Sequence, residues 1–227
     1  YERVYSALSH IKETYPEYIP CVLLQMTLVA FSDIIQIARE WNSDGLLKSF
    51  VLSNIHGLSP NFINGVKTVD YEETKQLYLH ILDAYEKHQD WVVLKIFLDE
   101  CLAYWKDRPI IDAGQSVPMA TCMPINSKIY IDSQMQIGIC EKVADKYRIG
   151  NVKNGIDWKR ANEIVEEYYH KRVERCKYCP AIRMCDMCLT AVEYSDEQWD
   201  ILCHNERVYA QIFMFLYCEM AERGLIK

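Results

Sequence analysis

At 227 residues with half its residues apolar, the chain is long enough to bury one large core or two small ones. Its formal charge of −7 repels phosphate backbones and argues against nucleic-acid binding, and no window approaches the ~20 apolar residues of a membrane span. Ten cysteines, without a basic start, a short apolar run and a small-residue cleavage site, disfavour a secreted disulfide scaffold and point to a reducing, cytoplasmic setting.

The chain opens at Tyr1 inside a helix-like stretch, with Val4, Leu8 and Ile11 on one side, and reads as a piece of something longer. Cys21 to Ala30 is a continuous apolar run suited to a strand buried on both faces. An amphipathic helix follows, capped by Ser32 or Asp33, with Ile34, Ile37, Ala38 and Trp41 in one stripe and its end near Gly45. Leu46 to Ile55 reads as a second strand, broken by Gly57 and Pro60. Asp70 caps a helix over Tyr71 to Lys87 with Leu77, Ile81, Leu82 and Tyr85 inward, and Val92 to Leu98 reads as a third strand. This alternation means parallel βαβ units, from a β/α barrel or an open doubly wound sheet. The opening helix has no strand before it and three strands make little sheet, so a section of barrel with strands missing upstream is the favoured reading.

After Arg108 the texture changes. Residues 109–121 carry two prolines, a glycine and small polar residues, and read as a linker to a cysteine-bearing module over 122–227. Lys128 to Ile131 and Gln136 to Ile139 form the arms of an expected hairpin turning through Asp132 to Met135, which folds Cys122 and Cys140 toward each other. Asp157 caps a helix bearing Trp158, Ala161, Ile164, Val165 and Tyr168 that runs to Arg175. Ser195 with Gln198 is a capping-box pattern opening a last helix, with Leu202, Tyr209, Ile212, Phe213, Leu216 and Met220 as its apolar positions and its stop near Gly224.

Cys176, Cys179, Cys185 and Cys188 stand as C-x2-C-x5-C-x2-C, with Cys203 shortly after and Cys122 and Cys140 upstream. Thiols this dense serve no packing purpose, whereas a metal centre needs several converging thiolates. A C-x2-C pair chelates through a tight turn without choosing the metal. A five-residue gap is short for two zinc knuckles to face one ion but suits the larger iron-sulfur cube, so iron-sulfur is favoured and zinc stays the alternative. Lys171, Arg172, Arg175, Lys177 and Arg183 crowd the run and would offset thiolate charge. Cys21, Cys101 and Cys218 read as core thiols.

Cys122, the hairpin, Cys140, the Ile149–Asn151 tripeptide, the dense run and Cys203 together resemble the SPASM domain of radical S-adenosylmethionine peptide-modifying enzymes. The resemblance implies that residues 1–108 are the C-terminal half of a partial β/α barrel and that 122–227 form an α+β iron-sulfur domain. It implies one auxiliary 4Fe-4S cluster on Cys176, Cys179, Cys185 and Cys203. A second would sit on Cys122, Cys140 and Cys188, with an iron open to a substrate thiolate. Cys140 to Lys142 and the following tripeptide look most like maturases of cysteine-rich ribosomal peptides, which form thioether links. Glu141 occupies the place of an acidic base in sulfatase-maturing relatives, and Gln25, Thr27 and Ser53 are the strand residues that would face S-adenosylmethionine. Implied partners are a precursor peptide and an electron donor or acceptor protein.

The chain departs from the family in having Met135 where glycine is common, five residues before the second hairpin cysteine. It also has two residues rather than three between the last cysteines of the run. It contains no C-x3-C-x2-C triad, so it is expected not to start radical chemistry by itself. Two other readings stay open: a catalytically silent module that docks peptide or passes electrons, and a zinc-stabilised scaffold.

Overall fold

The computed structural model describes residues 2–28, 30–57, 67–106, 125, 128–141, 143, 145–182, 184, 185 and 187–226. The expected breaker Pro60, the linker 109–121, Cys122, Lys142 and Arg183 lie outside them. The architecture is mixed helix and sheet, in two compact units: Tyr1–Asp107 with Ile212–Lys227, and Arg108–Gln211. No described helix is long and apolar enough to cross a membrane.

In the first unit, α1 (Glu2–Thr14) leads through a 3-10 turn into β1 (Leu23–Leu28), α2 (Ile34–Ser43) and β2 (Val51–Gly57). The strands pair in parallel from Leu23 opposite Val51 to Leu28 opposite Gly57, with a register shift between Leu24 and Gln25. This is the expected βαβ unit. β1 is not buried on both faces, however. Leu23 is 63% exposed, Gln25 and Thr27 are also exposed, and Leu24 and Met26 are half-buried. The pleat therefore turns alternate residues outward, which a continuous apolar run does not announce. The second strand also begins later than Leu46. The Asp44 carboxylate accepts the N–H groups of Leu46 at 2.8 Å and Leu47 at 3.0 Å and winds Leu47–Ser49 into a 3-10 turn. Asp33 stands at the start of α2 but caps nothing with its side chain, taking instead the Ser32 hydroxyl at 3.2 Å.

α3 (Tyr71–Lys87) starts as the sequence indicates, Asp70 Oδ1 accepting the Glu73 N–H at 2.8 Å. Ile81 and Leu82 are fully buried, Leu77 and Tyr85 half-buried, and Tyr78 carries much of the inner face. The expected third strand at Val92–Leu98 is helical, the opening of α4 (Val92–Lys106). Val93, Leu94, Phe97, Leu98, Cys101 and Leu102 are buried at helical spacing, and the exposed Lys95 and Asp99 pair across one turn. A seven-residue window is too short to show that period. Tyr78 packs its ring against Phe97 and Phe213, at 5.8 and 5.7 Å between centroids. Each such buried side chain contributes about 1.5–3 kcal/mol. Cys101 is a core thiol as expected, but Cys21, closing a 3-10 turn, and Cys218, on the outer side of the last helix, are exposed.

In the second unit β3 (Tyr130–Ile131), β4 (Gln136–Gly138), β5 (Arg148–Asn151) and β6 (Gly155–Ile156) form one antiparallel sheet in chain order. The expected hairpin is present with shorter arms. Gly150, the centre of the tripeptide singled out above, has φ +147°, and a Cβ there would meet the Gly155 carbonyl oxygen at 2.1 Å, so the β5–β6 turn requires glycine. α5 (Trp158–Cys176) is capped by Asp157, which accepts the Arg160 N–H at 3.0 Å. Trp158, the first of the apolar residues named along it, is 65% exposed. α6 (Asp196–Glu222) opens on a reciprocal capping box: the Gln198 N–H reaches Ser195 Oγ at 3.3 Å, and the Ser195 N–H reaches Gln198 Oε1 at 2.9 Å. The core of this unit gathers Ile137, Ile139, Ile149, Ile164, Tyr168, Leu189 and Trp199.

Candidate metal centre

The dense cysteine run begins where α5 stops. Cys176 is the last helical residue, and the Cys179 N–H returns to its carbonyl at 3.0 Å, making the tight turn that a C-x2-C pair needs. Further turns follow: the Ile182 N–H bonds the Cys179 carbonyl at 3.2 Å and the Met187 N–H bonds Cys185 Sγ at 3.4 Å. Cys188 then opens a 3-10 helix, Leu189–Glu193, with its sulfur 2.9 Å from Thr190 Oγ1.

This loop is pinned from both helices. Tyr168 donates its hydroxyl to the Met187 carbonyl at 3.1 Å, and Trp199 Nε1 donates to the Ala191 carbonyl at 2.8 Å. Tyr147 reaches the Val192 carbonyl at 3.1 Å. Arg175, with its guanidinium 5.6 Å from the Trp199 ring centroid, pairs with Asp196 at 3.3 Å and Asp200 at 3.0 Å and ties the end of α5 to the start of α6. Cys203 is thereby carried to the same region from the second turn of α6.

The result is an electrostatic grouping of four thiols. Cys176 feels Cys179, Cys203 feels both of them, and Cys185 feels Cys176. Burial pushes Cys185 up to about 12 and Cys203 up to about 11, and raises Cys176, with the neighbouring thiols adding to each shift. Arg172 opposes the rise at Cys176 and Cys185. Among the described residues, no three of His, Cys, Asp and Glu stand together at metal-binding distance.

Arg172 bears on whether an anionic centre fits here. It is fully buried, and its Nη1 donates to the Tyr168 hydroxyl at 2.5 Å and to the Met187 carbonyl. Its Nε and Nη2 are buried without a well-formed hydrogen bond, and the thiols it interacts with are those of Cys185 and Cys176, the Cys176 sulfur lying near enough to be stabilised by the guanidinium as a hydrogen-bond partner. A buried cation with two unused donors calls for a negative acceptor, and a set of thiolates on a metal supplies one. The donor set and the orphaned donors therefore fit a thiolate-bound metal centre.

The sequence places Arg172 among five cations around the run without marking it as the buried one. Its register with Ala161, Ile164, Tyr168 and Cys176 on the buried side of α5 was the available signal. Of the other cations in that group, Lys171 holds the Val192 and Tyr194 carbonyls, and Lys177 lies over the Tyr178 ring.

Cys140 is buried in the core just after the hairpin and donates its thiol to Glu141 Oε2 at 3.3 Å. Lys128 pairs with Glu141 at 2.9 Å and, as the main cause, holds that carboxyl at about 2, well below the ordinary range. Glu141 is thus ionised at neutral pH, and the same ion pair weakens it as a base. A polar pocket of about 280 Å³ borders this segment, lined among others by Asp132, Gln136, Cys140, Glu141, Asp145 and Arg148. In the first unit, Gln25, Thr27 and Ser53 are exposed on the strand pair, and Ser53 Oγ donates to the Leu24 carbonyl at 2.9 Å. No protein-family model, no curated protein and no solved structure matches the chain.

Proposed function

We propose that Cys176, Cys179, Cys185 and Cys203 hold a 4Fe-4S cluster. Cys122, Cys140 and Cys188 hold a second with one iron open, in the auxiliary module of a radical S-adenosylmethionine enzyme that modifies a ribosomally made peptide. The observation that carries this reading is the grouping of the four thiols from α5, the following loop and α6 beside a buried arginine. In it, residues 1–108 are the later part of a partial β/α barrel, with Gln25, Thr27 and Ser53 toward the nucleoside. Bound clusters would supply electron transfer and a seat for a substrate thiolate.

This chain's own residues set the conditions. Tyr168, Trp199 and Tyr147 hold the ligand loop by its carbonyls, which fixes its backbone beside both helices. The pocket beside Cys140 offers an incoming peptide the ionised Glu141 and the Arg148 guanidinium. The triad that begins the reaction is absent from these residues, so the chain alone is expected to be inactive. Anaerobic iron and sulfide analysis with a visible spectrum tests the reading. About eight irons per chain support two clusters and about four support one, whereas zinc alone overturns the assignment.

A further inference from the structure

The buried guanidinium of Arg172 has a division of labour that the ligand assignment does not explain. Nη1 is committed to the protein, bonding the Tyr168 hydroxyl and the Met187 carbonyl, which locks the side chain in place. Nε and Nη2 form the forked edge with which arginine grips two acceptor atoms at once, and both are buried without a well-formed hydrogen bond, the guanidinium acting on the nearby Cys176 thiol. Besides Tyr168, the titratable groups that act most on this residue are the thiols of Cys185 and Cys176. Arg175, one turn on, differs: it is partly exposed and ion-paired to Asp196 and Asp200. Arg172 forms no ion pair with a carboxylate among the described residues.

A fixed cation in a dry site is costly unless an anion completes it. A four-thiolate iron-sulfur cluster is such an anion, and it becomes more negative by one charge on reduction. Resting on the reading above, we propose that Arg172 is a positioning residue for the Cys176, Cys179, Cys185 and Cys203 site. Its forked edge donates to that cluster's sulfurs and stabilises the reduced state over the oxidised one. No atom would be transferred: a bound cluster would take one electron from an external low-potential reductant, dithionite in the titration below, which is oxidised in turn, and the guanidinium keeps its protons throughout. Removing the positive charge makes the cluster harder to reduce, and the cluster assigned to Cys122, Cys140 and Cys188 keeps its own potential.

The test uses the full chain reconstituted anaerobically as wild type, Arg172→Lys and Arg172→Gln, with far-UV circular dichroism to confirm folding. Reduction is followed by potentiometric titration with electron paramagnetic resonance. Arg172→Gln should move one reduction step to more negative potential and leave any second step in place, and Arg172→Lys should recover most of the shift. Arg172→Gln with iron bound and unmoved steps overturns the inference while leaving the cluster reading standing. If Arg172→Gln fails to retain iron, Arg172→Lys decides. Retention with a shifted step supports the role, and equal loss in both variants reduces Arg172 to a packing residue and overturns it. A wild type without iron overturns the cluster reading, and this inference with it.

Discussion

Met135 donates its backbone N–H to the Asp132 carbonyl at 3.0 Å while holding φ at +60°, so a bulky side chain occupies the left-handed position that closes the β3–β4 hairpin. Asp132 holds the other side of the turn, its Oδ1 accepting the N–H groups of Gln134 at 2.8 Å and Gln136 at 2.9 Å. A type I turn followed by a left-handed residue is a standard three-residue hairpin connection, and glycine is its usual occupant. Met135 is 62% exposed, so its side chain gains little from packing to offset the strain. Met135→Gly should stabilise the hairpin by about 1 kcal/mol, seen as roughly fivefold slower amide exchange at the hairpin hydrogen bonds if exchange proceeds by local opening. Unchanged or faster exchange would show that the left-handed turn carries no strain.

The Asp44 turn predicts a pH dependence. The Leu47 N–H is the largest influence holding the Asp44 carboxyl below its ordinary value, helped by the Leu46 N–H, the Tyr5 hydroxyl at 3.0 Å and Lys12, against a raising effect of burial. A carboxyl lowered in the folded state stabilises the fold fully above its unfolded value, about 3.9, and loses that contribution as pH falls through the folded value. Asp44→Asn keeps an acceptor for the two amides but cannot ionise. The thermal midpoint of the wild type should therefore exceed that of the variant at pH 7, with the gap shrinking as pH falls below about 4. A gap independent of pH would mean that ionisation of Asp44 contributes nothing.

Local features of the fold were legible and tertiary ones were not. Asp70, Asp157 and the Ser195–Gln198 pair each cap as their spacing indicates, because a cap is made within a few residues of itself. Asp33, at a position of the same kind, makes no side-chain cap bond, the Ile34 N–H turning to the Phe31 carbonyl instead, and nothing in its own segment distinguishes it. Val92–Leu98 became a strand on paper because seven apolar-rich residues fit either period, and the buried Cys101 and Leu102 beyond the window decide for helix. The same limit applied to the thiols. Spacing marks the C-x2-C pairs, but the approach of Cys203 to Cys176 depends on how α6 packs beside α5, and the burial of Arg172 depends on what covers that stripe.

The three cysteines outside the cluster assignment should separate by reactivity. Burial pushes the Cys101 thiol up to about 12, whereas Cys21 and Cys218 are exposed. Near pH 8 a thiol at that value has a thiolate fraction roughly a thousandfold below that of an ordinary cysteine, before steric protection is counted. Brief iodoacetamide treatment of the native protein, read by peptide mass spectrometry, should label Cys21 and Cys218 and spare Cys101 until denaturant is added. Early labelling of Cys101 would mean that α4 opens readily.

The partition of the remaining thiols gives the sharpest prediction. Cys176, Cys179, Cys185 and Cys203 act on one another electrostatically, Cys185 and Cys188 both act on Tyr168, and Cys188 places its sulfur beside Thr190 while Cys140 places its own beside Glu141. If these are separate ligand sets, Cys188→Ala should lower iron by about four per chain and leave the other cluster's spectrum intact. Cys176→Ala should remove the complementary share. Cys188→Ala gives up the contact with Thr190, but Tyr168 still holds the Met187 carbonyl next to it and Trp199 the Ala191 carbonyl in both variants. Loss of both clusters, or of neither, in Cys188→Ala would reject the division into four and three. Loss of the same cluster in the two variants would show that Cys188 belongs with Cys176.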